Sequence, residues 1–194
     1  MGLMRMFSTD RAKGTRNYID SQKKYEVLRT VIYFGISFSL LAAGWIATGE
    51  RVNLLSVVAV FGCLPACKSL VNTIMFFKFK SCSPQVVDVV EQSRRGVRTL
   101  YDCVFISYNT NFVVGCLSVR GNSVCGYTED PNFPYEKFYD HVGAGLRLEG
   151  QKDVTVKIFS DLDKYLERLK QMSALNDNPQ KNAFICAVLK NLSL

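Results

Sequence analysis

The chain has a single histidine, His141, directly after Asp140. A thiol nucleophile needs a base beside it, and Cys125 in "SVCGYT" paired with His141 is the arrangement that would supply one. The competing reading makes Cys125 an ordinary inward-facing strand residue and His141 a ring near a helix face. Cys63 and Cys67 stand four apart in "FGCLPACKSLVNTIMFF", around Pro65 and before Lys68. No third and fourth ligand lies near them, so no metal site is expected there. "GAGLRLEG" has no strand before it and no P-loop lysine, and "VRGNSVCG" falls in a hairpin, so neither is expected to cradle phosphate. Arg94, Arg95 and Arg98 in "SRRGVR" could meet nucleic-acid phosphate, lipid headgroups or a protein carboxylate. Nucleic acid is the least favoured partner, because no interleaved aromatic face accompanies them. No cofactor is expected.

The elements that would hold these groups follow from where the charges lie. The net charge is +7 over 194 residues, but residues 31–77 carry only Glu50, Arg51 and Lys68. Residues 1–30 hold seven basic side chains against three acids. The basic excess thus stands in front of an apolar block, which argues for a membrane surface rather than nucleic acid. The seven cysteines are odd in number and several sit in apolar runs. Reduced, mostly buried thiols in a cytosol-facing domain are expected.

"TVIYFGISFSLLAAGWIAT", residues 30–48, is uncharged. As a helix it covers about 28 Å, close to a hydrocarbon core. A signal peptide would have a shorter apolar region, ending at a small-residue cleavage site. Here the run starts late and a second one, 54–77, follows after "GERVN". A transmembrane hairpin over 30–79 is expected, preceded by a basic cytosolic helix within 1–29. Lys68 would lie about 21 Å into the second span, where its stem can snorkel to the interface. Pro65 should kink that span. Ala59, Cys63 and Cys67, flanked by Gly62 and Ala66, offer a small-residue stripe for close helix approach, and Gly35, Ser39 and Ala43 give the first span a matching one. Basic residues flank the outer ends of both spans, so both termini are placed in the cytoplasm, with Trp45 at the far interface.

Residues 80–194 read as a cytosolic α/β domain. Ser83 and Pro84 open a helix with Val86, Val87, Val89 and Val90 on one side. "YDCVFIS", "FVVGCLSV" and "SVCGYT" are strand-like, with turns at "YNTN" and "RGN". A helix from Tyr135 to about Leu148, a strand "VTVKIFS" and two more helices follow, the first introduced by Ser160, Asp161 and Asp163. The order is αβββαβαα, an α+β domain with a mixed four-stranded sheet.

The αβββαβ order of residues 84–160 resembles the core of the restriction-endonuclease-like, PD-(D/E)xK, superfamily. The resemblance implies metal-binding acids on the second and third core strands and a lysine two residues after the last. Here "FVVGCLSV" has no acid, and Glu129 and Asp130 come only at the end of "SVCGYTED", with Pro131 in the lysine position. A degenerate, non-catalytic relative is what the resemblance implies. The expected function is a non-enzymatic binding or regulatory module on a bacterial-type plasma membrane, with the lipid bilayer and either a second copy of the chain or a membrane protein as partner. The alternatives are a membrane-tethered enzyme, either a thiol hydrolase using Cys125 and His141 or a nuclease-like protein, and then a transporter subunit.

Overall fold

The computed structural model describes residues 13–49, 54–108 and 110–194. The first part of the expected basic helix, most of the "GERVN" connection and Asn109 of the "YNTN" turn lie outside them. The chain divides into two compact units, one over Ile19–Phe79 and the other over Lys80–Leu194 together with the turn residues before the first helix.

The first unit is a pair of antiparallel helices, α1 (Tyr18–Thr48) and α2 (Leu54–Phe77). α1 begins well before the apolar run because no Gly or Pro interrupts residues 18–34. It stops at Gly49, whose φ of 68° suits a left-handed cap and whose N–H donates to the Trp45 carbonyl at 3.0 Å. Pro65 lies inside α2 on an exposed side. The helices meet along Thr30 and Ser37 of α1 and along Ala59, Gly62, Ala66, Ser69 and Thr73 of α2. A Cβ at Gly62 would lie 2.8 Å from Ser37 Oγ, so that crossing depends on glycine. Of the stripe expected on α2, Ala59 and the flanking Gly62 and Ala66 lie at the contact, whereas Cys63 is half-buried and Cys67 exposed; the stripe expected on α1 is rotated off it, with Gly35, Ser39 and Ala43 exposed.

The second unit is α+β. Among the described residues it contains α3 (Pro84–Ser93), β1 (Arg98–Ile106), β2 (Asn111–Arg120), β3 (Ser123–Tyr127), α4 (Tyr135–Leu148), β4 (Thr155–Phe159), α5 (Leu162–Ser173) and α6 (Pro179–Leu192). The sheet order is β1-β2-β3-β4, with the first three strands antiparallel and β4 parallel to β3. The α4 crossover supplies the length that a parallel connection needs. The β2–β3 turn is a two-residue hairpin at Gly121 and Asn122, with Gly121 at φ 58°. One face of the sheet packs on α4 and α6 through Phe105, Phe112, Leu117, Phe138 and Leu189. The other packs on α3 and α5 through Val87, Val90, Cys116, Cys125 and Tyr165.

β1 and β2 slip out of alternation halfway along. Tyr101 pairs with Cys116 and Cys103 with Val114, which leaves Asp102 and Gly115 outside the ladder. Asp102 takes φ 51°, and its side chain accepts a 2.9 Å bond from the Cys82 N–H. Beyond the slip the faces exchange, so Leu100 and Cys103 both enter the α4–α6 core. Each edge of the sheet is tied down at some of its positions. On β1, Tyr101 N–H donates to Gly14 O at 3.0 Å and Leu194 N–H to Val104 O at 2.8 Å. On β4, Ile158 N–H donates to the Tyr139 hydroxyl at 3.1 Å. Such contacts interrupt the template that an open strand offers to another chain.

The local signals act largely as their chemistry dictates. Asp161 caps α5 by accepting from Asp163 N–H at 3.0 Å, and Asn178 caps α6 by accepting from Lys181 N–H at 3.1 Å. Ser83 stands at the start of α3, but its side chain makes no cap bond. α4 tolerates Gly145 because α6 lies against it there: a Cβ would sit 2.5 Å from Leu192 Cδ1.

Candidate functional site

The sheet keeps the suspected nucleophile and base apart. Cys125 is 1 % exposed among the residues packed on α3 and α5. Burial pushes its thiol up to about 12, with Arg168 opposing weakly, so it is held protonated. His141 lies on α4, on the other side of the sheet, with its ring centroid 6.1 Å from that of Phe112. The two acids after β3 are occupied locally. Glu129 accepts from the Ser83 N–H at 3.2 Å, and Asp130 accepts from the Asn132 N–H at 2.9 Å. Cys116 faces Cys82, and that hydrogen bond, followed by burial, raises its thiol far above the usual range. Among the described residues no group of three or more His, Cys, Asp or Glu could hold a metal ion.

The three arginines of "SRRGVR" are exposed at the turn between α3 and β1. Arg95 at φ 37° and Gly96 at φ 84° make that turn, closed by Val97 N–H donating to Arg94 O at 2.7 Å. Arg16, which sequence reasoning treated only as one basic residue among several, pairs with Asp88 at 2.6 Å and reaches Glu91 at 3.7 Å on α3.

In the helical pair the polar groups gather at one end of the contact. Thr30 Oγ1 lies 2.8 Å from Ser69 Oγ and 3.1 Å from Thr73 Oγ1, joining α1 to α2. Arg29 donates to Ser69 Oγ at 3.4 Å and pairs with Glu26, which is 3 % exposed. Gln22 also donates to Glu26, at 3.2 Å. Side-chain bonds of this kind fix the rotation of two helices that apolar contact alone would leave free. Lys68 and Trp45 do not join this cluster; both are exposed on the flanks of their helices.

On the exposed side of the same end runs an open groove of about 640 Å³. Val27, Leu28 and Val31 of α1 and Phe77 of α2 form its apolar walls, and Asp20, Lys23 and Lys24 form its polar end. Asp20 and Lys23 pair at 3.3 Å. The sequence carried a signal for both features: hydroxyls at 30, 69 and 73 inside apolar runs, and a basic pair seven residues before Val31. What it could not give was the helix rotation that brings them to a common end.

Comparison with models of protein families, with curated proteins and with solved structures finds no match for the chain.

Proposed function

We propose that the chain is a two-pass protein of a bacterial-type plasma membrane, in which the α1–α2 hairpin anchors a cytosolic α+β module that binds a partner or regulates a complex. The observation that carries this reading is the outward face of the hairpin. Two helices hold 18-residue windows of mean hydropathy 1.7 and 1.6, of which only 17 % and 22 % is buried. A core helix of a water-soluble protein would bury most of such a window. Here Phe38 is 64 % exposed, Ile46 85 % and Phe61 66 %. Apolar surface on this scale needs a cover, and helices of about 46 and 36 Å are long enough for a hydrocarbon core to provide it.

Charge supports the orientation. Lys23, Lys24 and Arg29 precede the first apolar run and Lys78 and Lys80 follow the second, while the connection carries one Arg and one Glu. Within the α+β unit Glu129, Asp130 and Asp161 brace backbone N–H groups and Cys125 is buried and protonated, which weighs against the thiol-hydrolase and nuclease-like alternatives. The test is extraction and protection. Alkaline carbonate should leave the intact chain in membrane vesicles, and protease added outside whole cells should leave the α+β unit uncut. Release by carbonate overturns the hairpin; digestion from outside overturns the orientation.

A further inference from the structure

We infer that the groove between the start of α1 and the end of α2 is a binding site for one anionic glycerophospholipid of the cytoplasmic leaflet; the inference rests on the membrane reading above. The groove grades from charge to hydrocarbon along one face of α1. Lys23 and Lys24 stand at one end, Val27 and Leu28 follow, and Val31 closes the other end beside Phe77. Lys24 and Val31 are seven positions apart, about 10 Å along the helix. That is the distance over which a lipid passes from its phosphodiester to the upper part of its acyl chain.

Depth agrees with this. Counted back from Thr48, a core of about 30 Å spans some 20 residues of helix, which brings the interface close to Leu28. Phe77, at the end of α2, falls at the same level. The two lysines then stand among headgroups, and the apolar walls stand where acyl chains begin. The charge arrangement selects the sign of the guest. Asp20 already holds Lys23, whereas Lys24 is exposed and forms no ion pair among the described residues. An added phosphodiester would have Lys24 as its main contact and would complete the Asp20–Lys23–Lys24 set. Phe77 makes the difference between a helix merely wetted by lipid and a concave site: it gives the groove a second wall from a second helix.

Native mass spectrometry of the full chain, released from nanodiscs of equal phosphatidylglycerol and phosphatidylethanolamine with matched acyl chains, reads the retained lipid directly. The wild type should retain phosphatidylglycerol over phosphatidylethanolamine by at least roughly five-fold, the factor one headgroup-facing lysine supplies. Lys23→Gln/Lys24→Gln should abolish that preference. Leu28→Trp, which fills the groove, should reduce retention of both lipids. Lys78→Gln, at the same level but outside the groove lining, should keep the preference. If Lys78→Gln loses as much as the double variant, the attraction is diffuse and the site does not exist. A wild-type dimer that Leu28→Trp makes monomeric, with no lipid preference, gives the groove to a second copy and equally overturns the inference. Carbonate extraction of the same preparations separates the two levels. Release of the wild type sinks the membrane reading, whereas retention without lipid preference sinks the groove alone.

Discussion

Ser118 and Tyr165 allow a quantitative test of the core between the sheet and α5. Both are 0 % exposed, and their hydroxyl oxygens lie 2.7 Å apart. Ser118 Oγ also lies 2.9 Å from Thr99 Oγ1, which is only half-buried. The two truncations are therefore unequal. Ser118→Ala takes away the hydroxyl that meets Tyr165 and strands a buried phenol, at a cost of about 1–3 kcal/mol. Tyr165→Phe leaves Ser118 its contact with Thr99 and should cost about 0.5–1.5 kcal/mol. The double variant should be no worse than Ser118→Ala alone, because no phenol remains to be stranded. Trp45 lies in the hairpin and would not report on this unit. Pulsed thiol labelling of buried Cys125 in the full, micelle-bound chain does report on it. Labelling through transient opening should speed up about 5- to 150-fold in Ser118→Ala. Unchanged labelling, or a double variant that costs the full sum of the singles, would refute the reasoning.

Gly115→Ala should destabilise the α+β unit by about 1–3 kcal/mol, because the new methyl would sit 2.7 Å from Cys82 Sγ and 2.9 Å from Cys82 Cβ. Faster labelling of Cys116 is the readout. Thr30→Val removes the hydroxyl that joins α1 to Ser69 and Thr73. It should weaken the hairpin by about 0.6–2 kcal/mol, seen as an earlier midpoint when SDS is titrated into dodecyl maltoside and Trp45 fluorescence is followed. Alkaline pH should destabilise the α+β unit, because burial holds the Cys103 and Cys125 thiols at about 12 while an unfolded thiol titrates near 8.5. The folded state keeps protons that the unfolded state releases. Their contribution is therefore intact below about pH 8.5 and falls by up to about 1.4 kcal/mol per pH unit per thiol on the way to 12. Cys103→Ala/Cys125→Ala should flatten the fall in melting temperature between pH 8.5 and 10.5, and an equally steep fall in that variant would contradict the assignment.

Much of the architecture is legible where local chemistry and periodicity agree. The second apolar run, 54–77, coincides with α2, and Pro84 starts α3 where proline suits a first turn. The α+β unit and its mixed four-stranded sheet follow from three β-rich segments ahead of a helix and a fourth strand. The first helix extends farther than its apolar run, because hydropathy marks what could enter lipid and not where helical hydrogen bonding begins. The contact face of the hairpin is legible only in part, through Ala59, Gly62 and Ala66 but not on α1, for a related reason. Small residues recur at Cys63 and Cys67 as well as at Gly62 and Ala66, and spacing alone does not choose between them. The Thr30, Ser69 and Thr73 hydroxyls choose. Nor did Asp102 and Gly115 announce the slip in β1 and β2, since a left-handed aspartate has no signature distinct from an ordinary strand aspartate. Cys125 and His141 are close in sequence, but alternation along β3 turns Cys125 to the α3–α5 side, whereas Val124 beside it meets the side on which α4 carries His141.

The clamp on β1 has a consequence for biosynthesis. Lys13 Nζ donates to Ser193 O at 3.1 Å across a separation of 180 positions. β1 itself ends at Ile106, 88 residues before Leu194, and a ribosome adding about 5–20 residues per second needs roughly 4 to 18 s to cover that interval. Throughout that time the strand's outer rim has nothing from the 193–194 segment to seal it, so newly made copies translated side by side are most prone to stick together there.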